Sequence, residues 1–126
     1  MDIDREVAEK VFGWKKTEIP KHWICDSKEA YETHQGYKLC VNCQGIPNFS
    51  SDISEAFNVI EHMRTLGYIC DLHHFARNKD GSYMWECIFD TEGPSMYDHH
   101  GTNNNPSMAV CIAALKSVGG WTTIGG

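Results

Sequence analysis

The chain has 126 residues, of which 22% are charged, and a formal net charge of −6 at pH 7. This length predicts a single domain, residues 1–126, with its own hydrophobic core. The acidic balance argues against binding to long nucleic acid or to anionic membranes, because both need a basic surface. No apolar run approaches the roughly 18 residues of a membrane span. The acidic start, MDIDREVAEK, is unlike a secretory signal, so we expect a cytoplasmic protein.

The first part of the chain predicts one helix and one hairpin. Residues 4–12 carry apolar side chains at helical spacing, and Gly13 follows as a residue that can end a helix. The stretch 14–50 is irregular and rich in aromatic, cysteine and polar residues. Within it, segments 23–25 (WIC) and 37–41 (YKLCV) are expected to form the two arms of a short hairpin.

A second helix is predicted from Asp52 to Leu66. Asp52 is a favourable N-cap, and Glu55, three residues later, would complete a capping box. Gly67 can adopt the left-handed conformation that ends many helices. The apolar stripe that we expect to face the core consists of Ile53, Ala56, Phe57, Ile60 and Met63.

Two strands follow this helix. Residues 68–76 and 82–90 alternate in the manner of strands, and the dipeptide Asp80-Gly81 between them is typical of a hairpin turn. One further short strand is expected over residues 96–99.

The last helix is predicted to begin after Asn105 with Pro106 in its first turn, because asparagine caps helices and proline is tolerated there. Its buried stripe would consist of Met108, Cys111, Ile112, Leu115 and Val118. Strands joined by tight turns pair antiparallel, and helices must cover a sheet face. The predicted fold class is therefore α+β, with an antiparallel β-sheet and helices packed on it in an α/β/α-type sandwich.

Three segments, in the same order, resemble the phage ABA-sandwich domain family. They are REVAEKVFGWK (5–15), PNFSSDISEAFNVIEHMRTLGY (47–68) and MAVCIAALKSVG (108–119). Members of that family begin with a VAEKVMGW-like helix, carry a PxYSTDIxAAxxVxExMRxLGY-like centre and end in an AICxAAL-like helix. At Ile112, within the last motif, other members tend to carry a basic residue.

The resemblance implies a phage anti-defence function. The family includes a Thoeris inhibitor, a sponge that binds cyclic ADP-ribose isomers made by bacterial TIR-domain immune enzymes and does not cleave them. Related members are oligomeric and can also hold cyclic oligonucleotides. By this resemblance we expect a homo-oligomer, a dimer or a hexamer, in the host cytoplasm. It would sequester a cyclic ADP-ribose isomer, or cyclic di- or trinucleotides, without a cofactor.

Such a ligand needs an aromatic face for its base and cations or N–H donors for its phosphates. Arg64 offers a planar fork that matches phosphate oxygens, and Lys116 could add a second cation. For each, the alternative is an ordinary solvated charge near a helix end. Phe89, Trp85 and Phe75 are the candidates for stacking on the base. For each of these, the alternative is a core position on the sheet.

His99 and Asn103 lie in the Gly- and Asn-rich stretch 92–105. Imidazole and amide groups on such a loop could reach the polar groups of a ligand, since binding residues concentrate on loops. The alternative is a plain turn, in which asparagine adopts the permissive conformations that turns require.

A structural zinc site is the competing interpretation. His22, Cys25, Cys40 and Cys43 form two ligand pairs whose separation suits a tetrahedral site. The chain would then be a small zinc-stabilised protein-interaction module of a phage. We prefer the metal-free interpretation, because no glycine follows Cys25 as it does in many zinc knuckles.

Catalytic motifs are missing from the sequence. It contains no nucleophile elbow, P-loop or His-Glu metalloprotease motif. We therefore expect a ligand-sequestering protein rather than an enzyme, with a hydrolase of the immune signal as the alternative.

Overall fold

The computed structural model describes residues 2–20, 23, 29–77, 79–80, 83–93 and 97–121. Within them, helix α1 (Ile3–Glu6) continues as a π-helical segment (Val7–Val11), followed by strands β1 (Lys15–Thr17), β2 (Ala30–Glu32) and β3 (Lys38–Cys40), helix α2 (Ile53–Thr65), strands β4 (Ile69–Arg77), β5 (Tyr83–Asp90) and β6 (His100–Asn103), and helix α3 (Pro106–Ser117). The predicted α+β class is confirmed. No helix in these ranges is long and apolar enough to cross a membrane.

The described strands form two antiparallel sheets of three strands each. The first sheet has the order β1-β2-β3, with the buried Tyr31 on its central strand. The second has the order β4-β5-β6, and Cys87 on its central strand lies opposite Leu72 and Gly101. The hairpin predicted over residues 68–90 is the β4–β5 pair.

The predicted first hairpin is wrong in one arm. Strand β3 lies inside the predicted arm 37–41, but its partner is β2 rather than residues 23–25. Trp23 lies outside any strand, and residues 24 and 25 fall outside the described part of the chain. Ala30 and Tyr31 of β2 are buried, so tertiary packing decides the pairing, whereas charged neighbours hide this strand in the sequence.

The last strand is also displaced from its prediction. Strand β6 begins at His100, beyond the predicted residues 96–99. Its Gly101 lies against α3, where an added Cβ would be 2.2 Å from the carbonyl oxygen of Ala109 and 2.4 Å from the nitrogen of Ala113. A glycine marks this close backbone approach, which strand propensity does not reveal.

Helix α2 begins and ends where the sequence predicts. The carboxylate of Asp52 accepts from the N–H of Ser54 at 2.9 Å, and Gly67, with φ of 97°, follows the end of the helix. The capping box does not form, because the N–H of Asp52 donates to the carbonyl of Asn48 instead.

The apolar stripe of α2 is only partly as predicted. Ala56 and Met63 are buried and Ile60 is partly buried, but Ile53 and Phe57 are 42% and 54% exposed. Helix α2 packs chiefly on α3, and its buried side includes Val59 rather than Phe57. We call Ile53 and Phe57 the exposed face of α2.

Helix α3 is the most buried element. Asn105 caps it by accepting from the N–H of Ser107 at 2.9 Å, as predicted. The helix contacts β5 and β6, α2 and the π-helical segment, so its buried residues surround the helix axis. They are Ser107, Ala109, Val110, Cys111, Ala113, Ala114, Leu115 and Ser117. The predicted single stripe is therefore too narrow, and its Met108, Ile112 and Val118 are only partly buried.

Candidate functional site

A cavity of about 390 Å³ lies between the end of the first helix, the β2–β3 turn and α2. This volume is near the lower end of the range for small-molecule sites. The cavity is lined by Phe12, Trp14, His34, Gln35, Pro47, Phe49, Glu55, Asn58, Glu61, His62 and Thr65. Its floor is aromatic, and its rim is polar.

The π-helical segment explains why two aromatic residues lie at this cavity. The N–H of Phe12 donates to the carbonyl of Val7 at 3.1 Å, and the N–H of Trp14 donates to Ala8 at 2.9 Å. Each of these bonds joins residues that are farther apart in the sequence than the four positions of an α-helical hydrogen bond, so the last turn is wider. Such turns occur often at functional sites. Phe12 and Trp14 are each 8% exposed and form part of the cavity floor.

Phe12 is at the centre of a cluster of rings. Its centroid lies 5.1 Å from the centroids of Phe49 and His34 and 4.6 Å from that of His62. The two imidazoles meet edge to face, 5.4 Å apart. The cluster offers flat apolar surface together with polar ring edges, a combination that suits a heteroaromatic ligand.

Hydrogen bonds orient both imidazoles. The indole N–H of Trp14 donates to Nδ1 of His34 at 3.0 Å, so the proton of the neutral His34 ring is on Nε2. His62 donates to the carbonyl of Val11. Burial, and to a lesser extent the nearby His34, lower the pKa of His62, so this ring is neutral at pH 7.

The cavity lining carries negative charge. Glu55 and Glu61 contribute carboxylates from α2, and no Lys or Arg lines the cavity among the residues that the structure describes. Glu61 is paired with Arg64, whose Nε and terminal nitrogen both lie 3.1 Å from one carboxylate oxygen. Glu55 accepts a hydrogen bond of 3.4 Å from Asn58, and within the described ranges it forms no ion pair.

The two predicted cations have different surroundings. Arg64 is 67% exposed and contacts the cavity rim through Glu61. Lys116 lies on α3 and pairs with Asp98 at 3.3 Å, and it does not line the cavity. Of the predicted ligand residues that the structure describes, Arg64 alone touches the cavity lining.

The predicted stacking residues lie on the second sheet. Phe89 is fully buried and meets Tyr68 edge to face, so its core alternative describes its position. Trp85 packs partly buried against the core, with its ring centroid 3.8 Å from that of His74. The side chain of Phe75 falls outside the described part of the structure. Phe89 and Trp85 do not line the cavity.

His99 and Asn103 hold the loop before α3 in place. His99 Nδ1 lies 3.0 Å from the hydroxyl of Ser117, which itself donates to the carbonyl of Ala113, so the imidazole N–H is the donor. The side-chain oxygen of Asn103 accepts from the N–H of Asn105 at 2.9 Å. These bonds fit the turn alternative, and a ligand role for either residue stays a prediction.

The zinc hypothesis also stays a prediction. His22 and Cys25 lie outside the described residues, while Cys40 is buried and Cys43 exposed. Within the described ranges, no group of three His, Cys, Asp or Glu side chains is arranged to hold a metal ion.

Three cysteines lie between the second sheet and α3. The sulfur atoms of Cys70 and Cys87 are 3.8 Å apart. A hydrogen bond with Cys70, together with burial, raises the pKa of the Cys87 thiol, and burial raises that of Cys111 to about 12. Both thiols are therefore protonated at neutral pH and are poor nucleophiles.

Sequence reasoning missed most of the cavity. The apolar spacing over residues 4–12 predicts that Phe12 is simply a core residue of the first helix, and no motif singles out His34, Phe49 or His62. These residues are far apart in the chain and meet only through tertiary packing. The available clue was the concentration of aromatic and polar residues over 14–50.

The model of the phage ABA sandwich domain family matches residues 5–115 of the 126. The chain belongs to that family. The resemblance seen in three segments is thereby confirmed over the whole of both sheets, and the cavity lies entirely inside the ABA sandwich domain. Comparison with curated proteins and with solved structures returned no match.

Proposed function

We propose that this ABA sandwich protein is a phage anti-defence sponge. It binds a cyclic ADP-ribose isomer, the immune signal of TIR-domain enzymes, and holds it intact. The observation that carries the proposal is the cavity with an aromatic floor inside a domain of this phage family. Such a floor supplies the flat surface on which a purine base stacks.

In this proposal, the base, the riboses and the phosphates of the ligand contact different residues of the site. The base lies on the floor formed by Phe12, Trp14 and Phe49, and the side chains of Gln35 and Asn58 offer partners for ribose hydroxyls. The phosphates stay outside, because the lining carboxylates repel them. At the rim, Arg64 is 67% exposed, and in this proposal its guanidinium contacts a phosphate oxygen.

A second copy of the chain completes the site in this proposal. Capture of a scarce messenger requires a Kd near nanomolar, about −12 kcal/mol, whereas one stacked base contributes only about 1–3 kcal/mol. The open cavity of one chain therefore needs further enclosure. The exposed face of α2, Ile53 and Phe57, lies on the helix that also forms one cavity wall. We propose that this face contacts a second copy in a homo-oligomer.

The proposal implies non-catalytic binding. Glu61, one of the two described carboxylates that line the cavity, is held by Arg64. A sponge captures the immune signal stoichiometrically and so keeps it from reaching its receptor in the host cell. The ligand is not cleaved in this process.

Calorimetric titration tests the proposal. Cyclic ADP-ribose isomers should bind with about one ligand per cavity, linear ADP-ribose should bind more weakly, and Phe12→Ala should weaken both. Cyclic di- and trinucleotides are titrated in parallel as the further ligands that the family suggests. Heat-denaturing the loaded protein should release unchanged ligand in a chromatogram. Absence of heat with every cyclic nucleotide would refute the sponge, and a hydrolysed product would point to an enzyme.

A further inference from the structure

We infer that the cavity selects a positively charged planar group, such as an N-alkylated purine, over a neutral group of the same shape. The inference rests on the proposed use of this cavity as the base-binding site and names the chemical class that the site prefers. It follows from the charges and rings at the cavity and does not depend on the identity of the messenger.

The aromatic floor favours a cation. Phe12, Trp14 and Phe49 all line the cavity, and the negative face of an aromatic ring attracts a cation held within about 6 Å of its centre. Tryptophan is the strongest of the aromatic residues in this respect. A neutral purine gains the stacking contact only, whereas a cationic purine gains stacking and charge attraction together.

Glu55 gives the cavity its uncompensated charge. The neighbouring Glu61 is offset by Arg64, but Glu55 forms no ion pair among the described residues and is partly buried at the cavity wall. A carboxylate beside an aromatic surface is less screened than one in open water, so its attraction for a bound cation is stronger there. His62 adds no opposing charge near neutral pH, because burial lowers its pKa, and Nδ1 of His34 accepts a hydrogen bond from the indole N–H of Trp14.

A local role for Glu55 is also visible. It lies in the first turn of α2, where a negative charge favours the helix dipole. That role concerns stability and is the same with any ligand, so a ratio of two affinities separates it from ligand selection.

The experiment compares 1-methyladenosine, a cation at neutral pH, with adenosine, which is neutral and of nearly the same shape. Both are titrated into the full chain at low ionic strength, with tryptophan fluorescence and chemical shifts of the cavity residues as readouts. We expect the cation to bind about fivefold more tightly. Glu55→Gln should bring the affinity ratio near one, and Arg64→Gln should increase it because Glu61 is then unpaired.

Glu18→Gln is the matched control. It removes the same charge from an exposed position outside the cavity lining and should leave the ratio unchanged. A ratio near one in the unmodified protein, no binding of 1-methyladenosine at millimolar concentration, or an unchanged ratio in Glu55→Gln would overturn the inference. If cyclic ADP-ribose isomers bind but the ratio is one, the sponge proposal stands and only the charge selection fails. If the ratio is as expected and no cyclic nucleotide binds, the charge selection stands and the sponge proposal fails.

Discussion

The indole N–H of Trp14 donates to Nδ1 of His34 across 3.0 Å and joins the segment after the first helix to the β2–β3 turn. The bond fixes which nitrogen of His34 carries the proton and holds the imidazole against Phe12, with ring centroids 5.1 Å apart. Two walls of the cavity therefore depend on one hydrogen bond between residues twenty positions apart.

Trp14→Phe should test the importance of this bond. The substitution keeps an aromatic floor but removes the donor, so we expect a loss of about 1 kcal/mol of unfolding free energy and weaker purine binding. Urea denaturation and calorimetry measure the two effects. Trp85→Phe is the control, because Trp85 lies on the second sheet away from the cavity. Equal losses of affinity in both variants would contradict a specific role for Trp14.

Gly101→Ala should destabilise the protein strongly. The added Cβ would meet backbone atoms of Ala109 and Ala113 at 2.2 and 2.4 Å, and backbone cannot move aside as a side chain can. We expect a loss of at least about 2 kcal/mol in urea denaturation. The neighbouring Thr102→Ala, at an exposed position, should cost less than about 0.5 kcal/mol. A stable Gly101→Ala variant would show that β6 and α3 are not packed so closely.

The lowered pKa of His62 predicts a pH dependence of stability. In the unfolded chain His62 binds a proton below its ordinary pKa of about 6.5, but in the folded chain it does so only at lower pH. Its contribution is therefore fully present above pH 6.5 and is lost as the pH falls through the lowered folded-state value. Urea midpoints measured from pH 7.5 to 5 should fall less in His62→Gln than in the unmodified protein. Parallel curves would argue against this assignment.

Phe57→Ser should shift the oligomeric state. Phe57 is 54% exposed on α2 and is not part of the buried core, so we expect its replacement to preserve the fold while weakening contact with a second copy. Sedimentation should show smaller assemblies and calorimetry a weaker ligand affinity. Ile69→Ser, at a position that is 74% exposed outside α2, is the control. An unchanged assembly in Phe57→Ser would exclude the exposed face of α2 as the contact.

The local signals in the sequence predicted most of the helical structure. Asp52, Gly67 and the Asn105-Pro106 pair mark helix ends through side-chain caps and backbone conformations that need no distant partner. Strands β4 and β5 were also predictable, because their alternation and the Asp80-Gly81 dipeptide between them lie in one continuous segment of the sequence.

The remaining features depend on residues distant in the chain. Strand β2 contains only three residues, one of them Glu32, and follows the charged Glu29, whereas β6 contains a glycine that its packing on α3 requires. Val59 is buried in place of Phe57 because of the way α2 packs on α3. The local sequence pattern does not predict this packing. For the same reason, the sequence pattern indicates the core ring of Phe89 as a stacking residue rather than the rings of the cavity floor.

Among the described residues, the cavity lies between two parts of the fold that have few other contacts with each other. His34 and Gln35 belong to the turn of the first sheet, whereas Glu55 and His62 belong to α2. A molecule that fills the space touches both and adds its binding free energy to their attachment. Occupancy should therefore slow amide hydrogen exchange at Thr33 and Gly36, whose N–H groups close that turn. We expect the ligand-saturated protein to unfold as one unit, because the bound ligand links the first sheet to α2.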